Sequence, residues 1–370
     1  PFSFPFRLYP SINKDKNILF KYPSTDINNK KIKAEEKIRF LEIIGSDMSS
    51  YQKQVYNLYK RKAIGELEDV EEVIDDSFGV DEEVENDEDG ISTNLKKIVQ
   101  ISNVVYPIDD IKNSSEISKA YGKDGFGNVI VNAGKKGIRY KYTNDCLQNF
   151  GEIFSYNNLQ TYAPKIKRVI DYIKKSEGIV FIYSNFYPSG IKPLAIALEH
   201  IGFVKYNTTN LTGDNITVDD KFNGRKPSYV VLSRNTDLSP NNDKEIEIVK
   251  SKENANGDIV KVIIASSIAT EGIDFKRIRE VHILEPWYNL NRCEQIIGRA
   301  VRTCSHIDMP KEKRNVTIYF HASVYDDTEE SIDIRTYRIA EQKQKRITEV
   351  EKLLKETSID CNLNRTQLLY

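Results

Sequence analysis

Residues that build disulfide frameworks and metal centres are scarce in this sequence. Its 370 residues include four cysteines and four histidines, scattered along the chain without a C-x-x-C pair. Because structural zinc sites and disulfide scaffolds need short, regular spacings of these residues, we expect reduced thiols in a cytosolic setting and no bound metal.

Long apolar runs are also missing. No stretch approaches the roughly 18 apolar residues that a bilayer-spanning helix needs, so we expect no membrane partner. Residues 1–6 lack the basic region and apolar core of a secretory signal peptide, and the first residue is Pro1, not Met. The sequence is therefore expected to be a fragment or a trimmed chain.

The formal net charge of −1 is close to zero only because one segment is strongly acidic. Residues 66–90 hold fourteen acidic residues and no Lys or Arg. Without those fourteen negative charges the formal total of −1 becomes +13. Such a basic remainder suits a nucleic-acid binder, although an ordinary Lys-rich surface explains it equally well.

From residue 161 onward, short apolar runs alternate with amphipathic stretches. The runs predict buried parallel strands at Ile179–Ser184, Tyr229–Ser233, Val262–Ser266, Val281–Leu284 and Val316–Phe320. Helices are predicted at Pro193–His200, Lys244–Lys250, Asn291–Arg302 and Ser331–Lys355. The alternation predicts an α/β fold whose parallel sheet has helices on both faces. In such sheets, functional residues follow the carboxyl ends of the strands.

Composition divides the chain into five predicted segments. They are the end of a preceding lobe with a helical connector at 1–64, an acidic flexible linker at 65–92, an irregular insertion at 93–160, the α/β domain at 161–325 and a helical tail at 326–370. The connector is predicted to be helical over 31–64, with Ser49 or Ser50 as a cap.

The segment Gln295–Arg302 carries the most specific pattern. On a helix, Gln295, Arg299 and Arg302 would lie along one face, and two permanently charged guanidinium groups suit a polyphosphate. Gly298 costs a helix interior about 1 kcal/mol relative to Ala, which predicts a close backbone approach there. Surface arginines on a helix are usually only solvated. The row of Gln295, Arg299 and Arg302, called the arginine ridge, is therefore weak evidence for a phosphate site on its own.

A second pattern lies upstream, where a predicted strand runs into Ser266–Asp274. This loop offers hydroxyl groups at Ser266 and Thr270, a glycine at Gly272 and an acid at Asp274. Hydroxyl groups and exposed backbone amides suit contacts to a phosphodiester backbone that do not read the bases.

Taken in order, Val180–Ser184, Ser266–Asp274 and Gln295–Arg302 resemble motifs IV, V and VI of superfamily 2 helicases. Leu284–Asn289 further resembles the large-DNA-virus branch, which includes the poxvirus nucleoside triphosphatase I and the small subunit of the poxvirus early transcription factor. Helicases of cytoplasmic linear plasmids are also similar. The resemblance covers about 161–361 well and 31–160 loosely, and it implies a RecA-like fold for the α/β domain.

The resemblance implies roles for the matching residues. Arg299 and Arg302 would be arginine fingers that stabilise charge on the γ-phosphate, and Gln295 would lie near the nucleotide or the attacking water. Implied at the cofactor are Gly272, Asp274 and Gly298, and implied at the nucleic-acid backbone are Ser184, Asn185, Ser266 and Thr270.

The sequence contains no G-x-x-x-x-G-K-[ST] loop and no acidic D-E-x-[HD] box after a buried strand. These elements hold the β- and γ-phosphates and Mg²⁺ in such motors. We therefore expect ATP and Mg²⁺ to bind mainly through another, N-terminal motor lobe of the same protein, and this chain alone to be inactive.

The resulting expectation is the C-terminal lobe of an ATP-dependent helicase or translocase acting in viral transcription or genome handling. Expected partners are DNA or RNA, the N-terminal lobe, and viral RNA polymerase or transcription-factor subunits. The expected location is the host cytoplasm, a viral factory or the virion. The alternative is a non-catalytic module that binds DNA or recruits polymerase, and a generic α/β domain with a salt-bridged arginine ridge is the third reading.

Overall fold

The computed structural model describes residues 4–19, 21–67, 90–111, 116–134, 138–213, 226–266 and 273–358, with side chains described outside 61–67 and 90–94. Most of the predicted acidic linker therefore lies outside the described residues. So do Thr270 and Gly272 in the predicted hydroxyl-rich loop.

The described strands form one large parallel sheet and one small hairpin. The strands are β1 (Phe6–Leu8), β2 (Ile43–Asp47), β3 (Ile130–Asn132), β4 (Tyr140–Tyr142), β5 (Ile179–Tyr183), β6 (Val204–Lys205), β7 (Ser228–Leu232), β8 (Val262–Ala265), β9 (Ile278–Ile283) and β10 (Asn315–Val324). Within the described residues the large sheet has eight strands. Seven follow the order β1-β10-β9-β5-β8-β7-β6, and the eighth, β2, pairs with the later residues of β10, after those that pair with β1. Every pairing in it is parallel, which confirms the predicted sheet.

Helices pack against both faces of this sheet. They are α1 (Ser50–Leu67), α2 (Gly90–Asn103), α3 (Gly122–Val129), α4 (Asn144–Asn149), α5 (Leu159–Tyr162), α6 (Pro164–Ile173), α7 (Lys192–His200), α8 (Asn242–Lys250), α9 (Leu290–Ala300) and α10 (Ile332–Thr357). Alternate residues of β5 enter opposite cores: Val180 joins the core with α6 and α7, and Phe181 joins the core with α9 and α10. The two-faced α/β arrangement is confirmed.

The first fifty residues contribute strands to the sheet. β2 pairs with β10 from Ile43 opposite Phe320 to Asp47 opposite Val324, and Ile43 and Ile44 are fully buried. The predicted helix over 31–64 is therefore wrong before residue 50, because long-range pairing with β10 decides this segment. From Ser50 onward the helix is confirmed, with the Ser49 hydroxyl accepting from the Gln52 amide at 3.0 Å.

Residues of the predicted insertion form short helices and the β3–β4 hairpin. Their aromatic side chains join the core of the sheet: Tyr106 is fully buried and meets Phe126 and Phe154 edge to face at 6.2 Å. The C-terminal helix is confirmed as α10, which Ser331 caps by accepting from the Ile334 amide at 3.3 Å. Among the described helices, none combines the length and apolar character that crossing a bilayer requires.

Candidate functional site at the carboxyl edge of the sheet

Three central strands end side by side at one edge of the sheet. β5 lies between β8 and β9, and Tyr183 pairs with Ala265 on one side and Ile283 on the other. Because the strands are parallel, the segments that follow them leave the sheet at the same edge. The predicted motifs are therefore brought together by the sheet.

Helix α9 begins directly beyond this edge. The Asn289 side chain caps it by accepting from the Asn291 amide at 2.9 Å. Its buried side chains face the sheet, at Cys293, Ile296, Ile297 and Ala300. Gln295 is exposed and Arg299 is half-buried, so these two lie on the side away from the core.

The helix ends at Ala300, and the prediction that Arg302 lies on it is wrong. The Arg299 carbonyl accepts from the Phe275 amide at 3.0 Å, and the Ala300 carbonyl accepts from the Ser305 hydroxyl at 3.4 Å. These tertiary donors replace a further helical turn, and Val301 leaves helical geometry with φ −103° and ψ 81°.

Asp274 nevertheless brings the two arginines together. Its Oδ1 atom lies 3.9 Å from Arg299 Nη1 and also contacts Arg302 Nη1. The side chains of Arg302 and Asp274 are 45% and 49% exposed, whereas that of Arg299 is 18% exposed. Two cations around one acid form a site where an anion can exchange with the carboxylate.

No other segment of the described chain approaches the backbone at Gly298 closely. Apart from its chain neighbours and the backbone of α9 itself, no heavy atom of the described residues would lie within 4 Å of a Cβ atom added at Gly298. As far as the described residues go, Gly298 therefore leaves room on the side of α9 that carries Gln295 and Arg299.

The predicted nucleic-acid contacts differ in exposure. Ser184 is fully buried and its hydroxyl donates to Glu285 at 2.6 Å, and Ser266 is 2% exposed with its Oγ 3.2 Å from the Tyr187 hydroxyl. Asn185 is half-buried, and its side-chain oxygen accepts from Tyr183 at 3.4 Å. Of these three, Asn185 keeps the most surface for a ligand.

Glu285 is a central residue to which the sequence alone assigned no role. It follows β9, is fully enclosed, and accepts hydrogen bonds from Ser184, from the Asn185 amide at 3.1 Å and from Asn103 Nδ2 at 2.7 Å. Burial raises the pKa of this carboxyl, and the hydrogen bonds with Ser184, Asn185 and Asn103 partly oppose the rise. The acidic residue in Leu284–Asn289 was the signal that could have indicated it.

Arg292 on α9 was also missed. Its guanidinium carbon lies 3.9 Å from the ring centroid of Trp287, and its Nη2 donates to the Tyr183 hydroxyl at 3.1 Å. The Arg292 stack therefore ties the start of α9 to the end of β5, where Asn185 begins the next loop.

No group of three or more His, Cys, Asp or Glu residues is placed to hold a metal ion within the part of the chain that the structure describes. The anion-attracting groups at this edge are instead the arginines around Asp274.

Two family models match the chain. Residues 203–304 match the helicase conserved C-terminal domain, and residues 306–368 match the nucleoside triphosphatase I C-terminal domain. Residues 203–304, called the helicase domain, thus have the sequence features of a helicase C-terminal domain. The first match includes β7, β8, β9 and α9, and the second includes β10 and α10. The parallel sheet with helices on both faces is the RecA-like arrangement that the resemblance implied.

This chain is also similar to proteins of large DNA viruses. It is 35% identical over 214 residues to the putative ATP-dependent RNA helicase R563 of Acanthamoeba polyphaga mimivirus, covering 57% of this chain and 35% of the relative. It is 32% identical over 225 residues to nucleoside triphosphatase I of Heliothis armigera entomopoxvirus, covering 60% and 30%. For nucleoside triphosphatase I of Choristoneura biennis entomopoxvirus the identity is 28% over 341 residues, covering 91% and 46%. The chain thus spans less than half the length of each.

Among solved structures, the C-terminal part of the Fun30 ATPase domain aligns with 86% of this chain and 90% of its own. The TM-score is 0.44 and the sequence identity is 12%.

Proposed function

We propose that this helicase domain is the second motor lobe of an ATP-dependent nucleic-acid translocase. The observation that carries the proposal is the convergence of Arg299 and Arg302 on Asp274 beside the open space at Gly298. Two guanidinium groups that converge just at and beyond the end of α9 suit the γ-phosphate of a nucleotide held by a facing lobe.

In this mechanism the two arginines stabilise negative charge that develops during phosphoryl transfer. Asp274 orients them before a nucleotide is present, and the γ-phosphate then competes for the same guanidinium groups. Gln295 and Gly298 lie on the same exposed side of α9, where Gln295 can reach the nucleotide or water. ATP would supply the free energy, and Mg²⁺ would neutralise its phosphates. Since the chain has no phosphate-binding loop, we propose that it does not hydrolyse ATP by itself.

The nucleic-acid track follows the ends of β5 and β8. Asn185 offers an amide side chain at this edge, and Thr270, which follows β8 in the sequence, lies outside the described residues. Contacts of this kind hold the phosphate backbone without reading sequence. We propose DNA as the track, with RNA as the second polymer to test, and viral transcription or genome handling in the host cytoplasm as the setting.

The test measures nucleic-acid-stimulated ATPase activity of this chain joined to the lobe that carries the phosphate-binding loop. Arg299→Ala and Arg302→Ala should each lower kcat by about 10³-fold, the smaller end of arginine-finger effects, while nucleic-acid binding persists. Arg346→Ala, at an exposed arginine on α10, is the matched control.

Normal turnover in both arginine variants would exclude the finger assignment. No ATPase activity in the joined protein, with binding retained, would instead support the non-catalytic module that binds DNA or recruits polymerase subunits.

A further inference from the structure

The buried carboxylate of Glu285 joins three segments that are distant in sequence. Its oxygens accept from Ser184 Oγ at 2.6 Å and from the Asn185 amide at 3.1 Å, both just after β5. They also accept from Asn103 Nδ2 at 2.7 Å, at the last residue of α2. Asn103 is 0% exposed and Glu285 is 4% exposed. Water therefore cannot easily replace a lost partner, and breaking one of these hydrogen bonds costs free energy of folding.

The junction is packed without spare room. Gly190 lies against it, and a Cβ atom there would stand 1.9 Å from Ser184 Oγ and 3.1 Å from Glu285 Oε1. Gly190 belongs to a wide turn, Tyr187–Ile191, closed by a bond of 2.9 Å from the Ile191 amide to the Phe186 carbonyl. Turns of this π type occur often at functional sites.

The insertion holds this turn at two further points. Ser189 Oγ donates to Gln100 Oε1 of α2 at 2.8 Å, and the Tyr106 hydroxyl donates to the Pro188 carbonyl. Together with Asn103, these contacts connect α2 and the residues after it to the whole loop of residues 184–191, and therefore to the backbone at Asn185.

We propose that α2 of the insertion positions the loop of residues 184–191 through Glu285, and thereby sets how Asn185 meets nucleic acid. Asn103 and Glu285 are positioning residues in this account, because neither reaches the exposed edge. The inference rests on the proposed nucleic-acid binding and extends it to the insertion, which becomes a partner of the motor site.

The test uses Asn103→Asp, which faces one buried carboxylate with another. We expect the affinity of the chain for fluorescein-labelled DNA, measured by anisotropy, to fall about tenfold. A change of this size corresponds to the loss of one hydrogen bond to a charged group. Adding Glu285→Gln should recover most of the loss, because its amide can donate to Asp while its oxygen still accepts from the Asn185 amide. Asn128→Asp, elsewhere in the insertion, is the matched control.

A double-mutant cycle with Asn185→Ala separates positioning from mere stability. If α2 acts through Asn185, this substitution weakens binding in the wild type but adds little in the Asn103→Asp background. The inference would be overturned if the losses of the two substitutions were additive, or if Asn103→Asp bound DNA as tightly as Asn128→Asp. Either result would leave the proposed function intact. A wild-type chain that binds no DNA or RNA would overturn the proposed nucleic-acid contact with it. Thermal unfolding of each variant verifies that it is folded.

Discussion

Lys165 on α6 donates to Asp333 on α10 at 2.7 Å, and both side chains are fully buried. The same Asp333 oxygen accepts from the Ser323 amide of β10 at 2.8 Å. This ion pair therefore ties the C-terminal helix, the sheet and a helix of the opposite face together. Buried pairs of this kind are costly to break on one side, because the remaining charge stays without compensation.

We expect Asp333→Ala to lower the free energy of unfolding by about 3–5 kcal/mol, measured by urea denaturation. Lys165→Met combined with Asp333→Leu should recover most of that loss, because no unpaired charge remains. The control is Lys352→Ala on the exposed end of α10. If Asp333→Ala lowered the free energy of unfolding no more than this control, the account would be contradicted.

A second prediction concerns Asp274 as an internal competitor for anions. Asp274→Asn keeps the shape of the side chain but removes the charge that lies between Arg299 and Arg302. We expect this variant to bind tripolyphosphate several-fold more tightly than the wild type in calorimetry at low salt, with the difference shrinking as salt rises. The control is Asp308→Asn, whose carboxylate pairs with a different arginine, Arg277. Equal affinity in the wild type and Asp274→Asn would show that the carboxylate does not compete.

The two glycines at this edge should respond to alanine in opposite ways. Gly298→Ala adds a methyl group into open space and should stabilise α9 by about 1 kcal/mol. Gly190→Ala forces Cβ to within 1.9 Å of Ser184 Oγ and should destabilise the fold by about 1–3 kcal/mol or more. Denaturant unfolding measures both. If Gly298→Ala is stable yet the joined motor loses ATPase activity, the open space is needed for the nucleotide; a destabilised Gly298→Ala would contradict the packing described here.

A pH effect is expected from Glu245 on α8. This side chain is 1% exposed, and burial raises its pKa from 4.5 to about 7, with Lys205 opposing the rise. Between those values the folded state holds a proton that the unfolded state has lost, so stability falls as pH rises from about 4.5 to 7. The Glu245→Gln variant avoids this penalty. Its stability advantage over the wild type should grow from pH 5 to 7 and then level off, in urea titrations at each pH. A constant difference across this range would disprove the coupling, and Glu247→Gln on the same helix is the control.

Much of the fold could be predicted because its signals are local. The runs at Ile179–Ser184 and Val262–Ser266 are apolar and β-branched, and each ends at a polar residue, so strand position follows from composition. The arginine ridge was equally visible, since Arg299 and Gln295 lie on a helix whose apolar residues face the sheet. The segment boundaries and the roles of the site residues stay predictions.

The parts that could not be predicted depend on long-range contacts. Ile43–Asp47 looked helical because nothing nearby marks a strand, and only its pairing with β10 makes it one. The end of α9 is decided by Phe275 and Ser305, which take the last carbonyls, and so Arg302 reaches Asp274 from a turn instead of a helix. The burial of Ser184 was likewise invisible, because Glu285 approaches it from another strand.

The sequence by itself therefore determined the five strands β5, β7, β8, β9 and β10, the arginine helix, the C-terminal helix and the helicase-type motifs, since each depends on residue types at short spacings. The tertiary structure alone decided which polar side chains are enclosed and which stay open at the edge of the sheet. The physical reason is that burying a carboxylate such as Glu285 requires hydrogen-bond donors, and the fold gathers these from α2 and from the residues just after β5, far away in the chain.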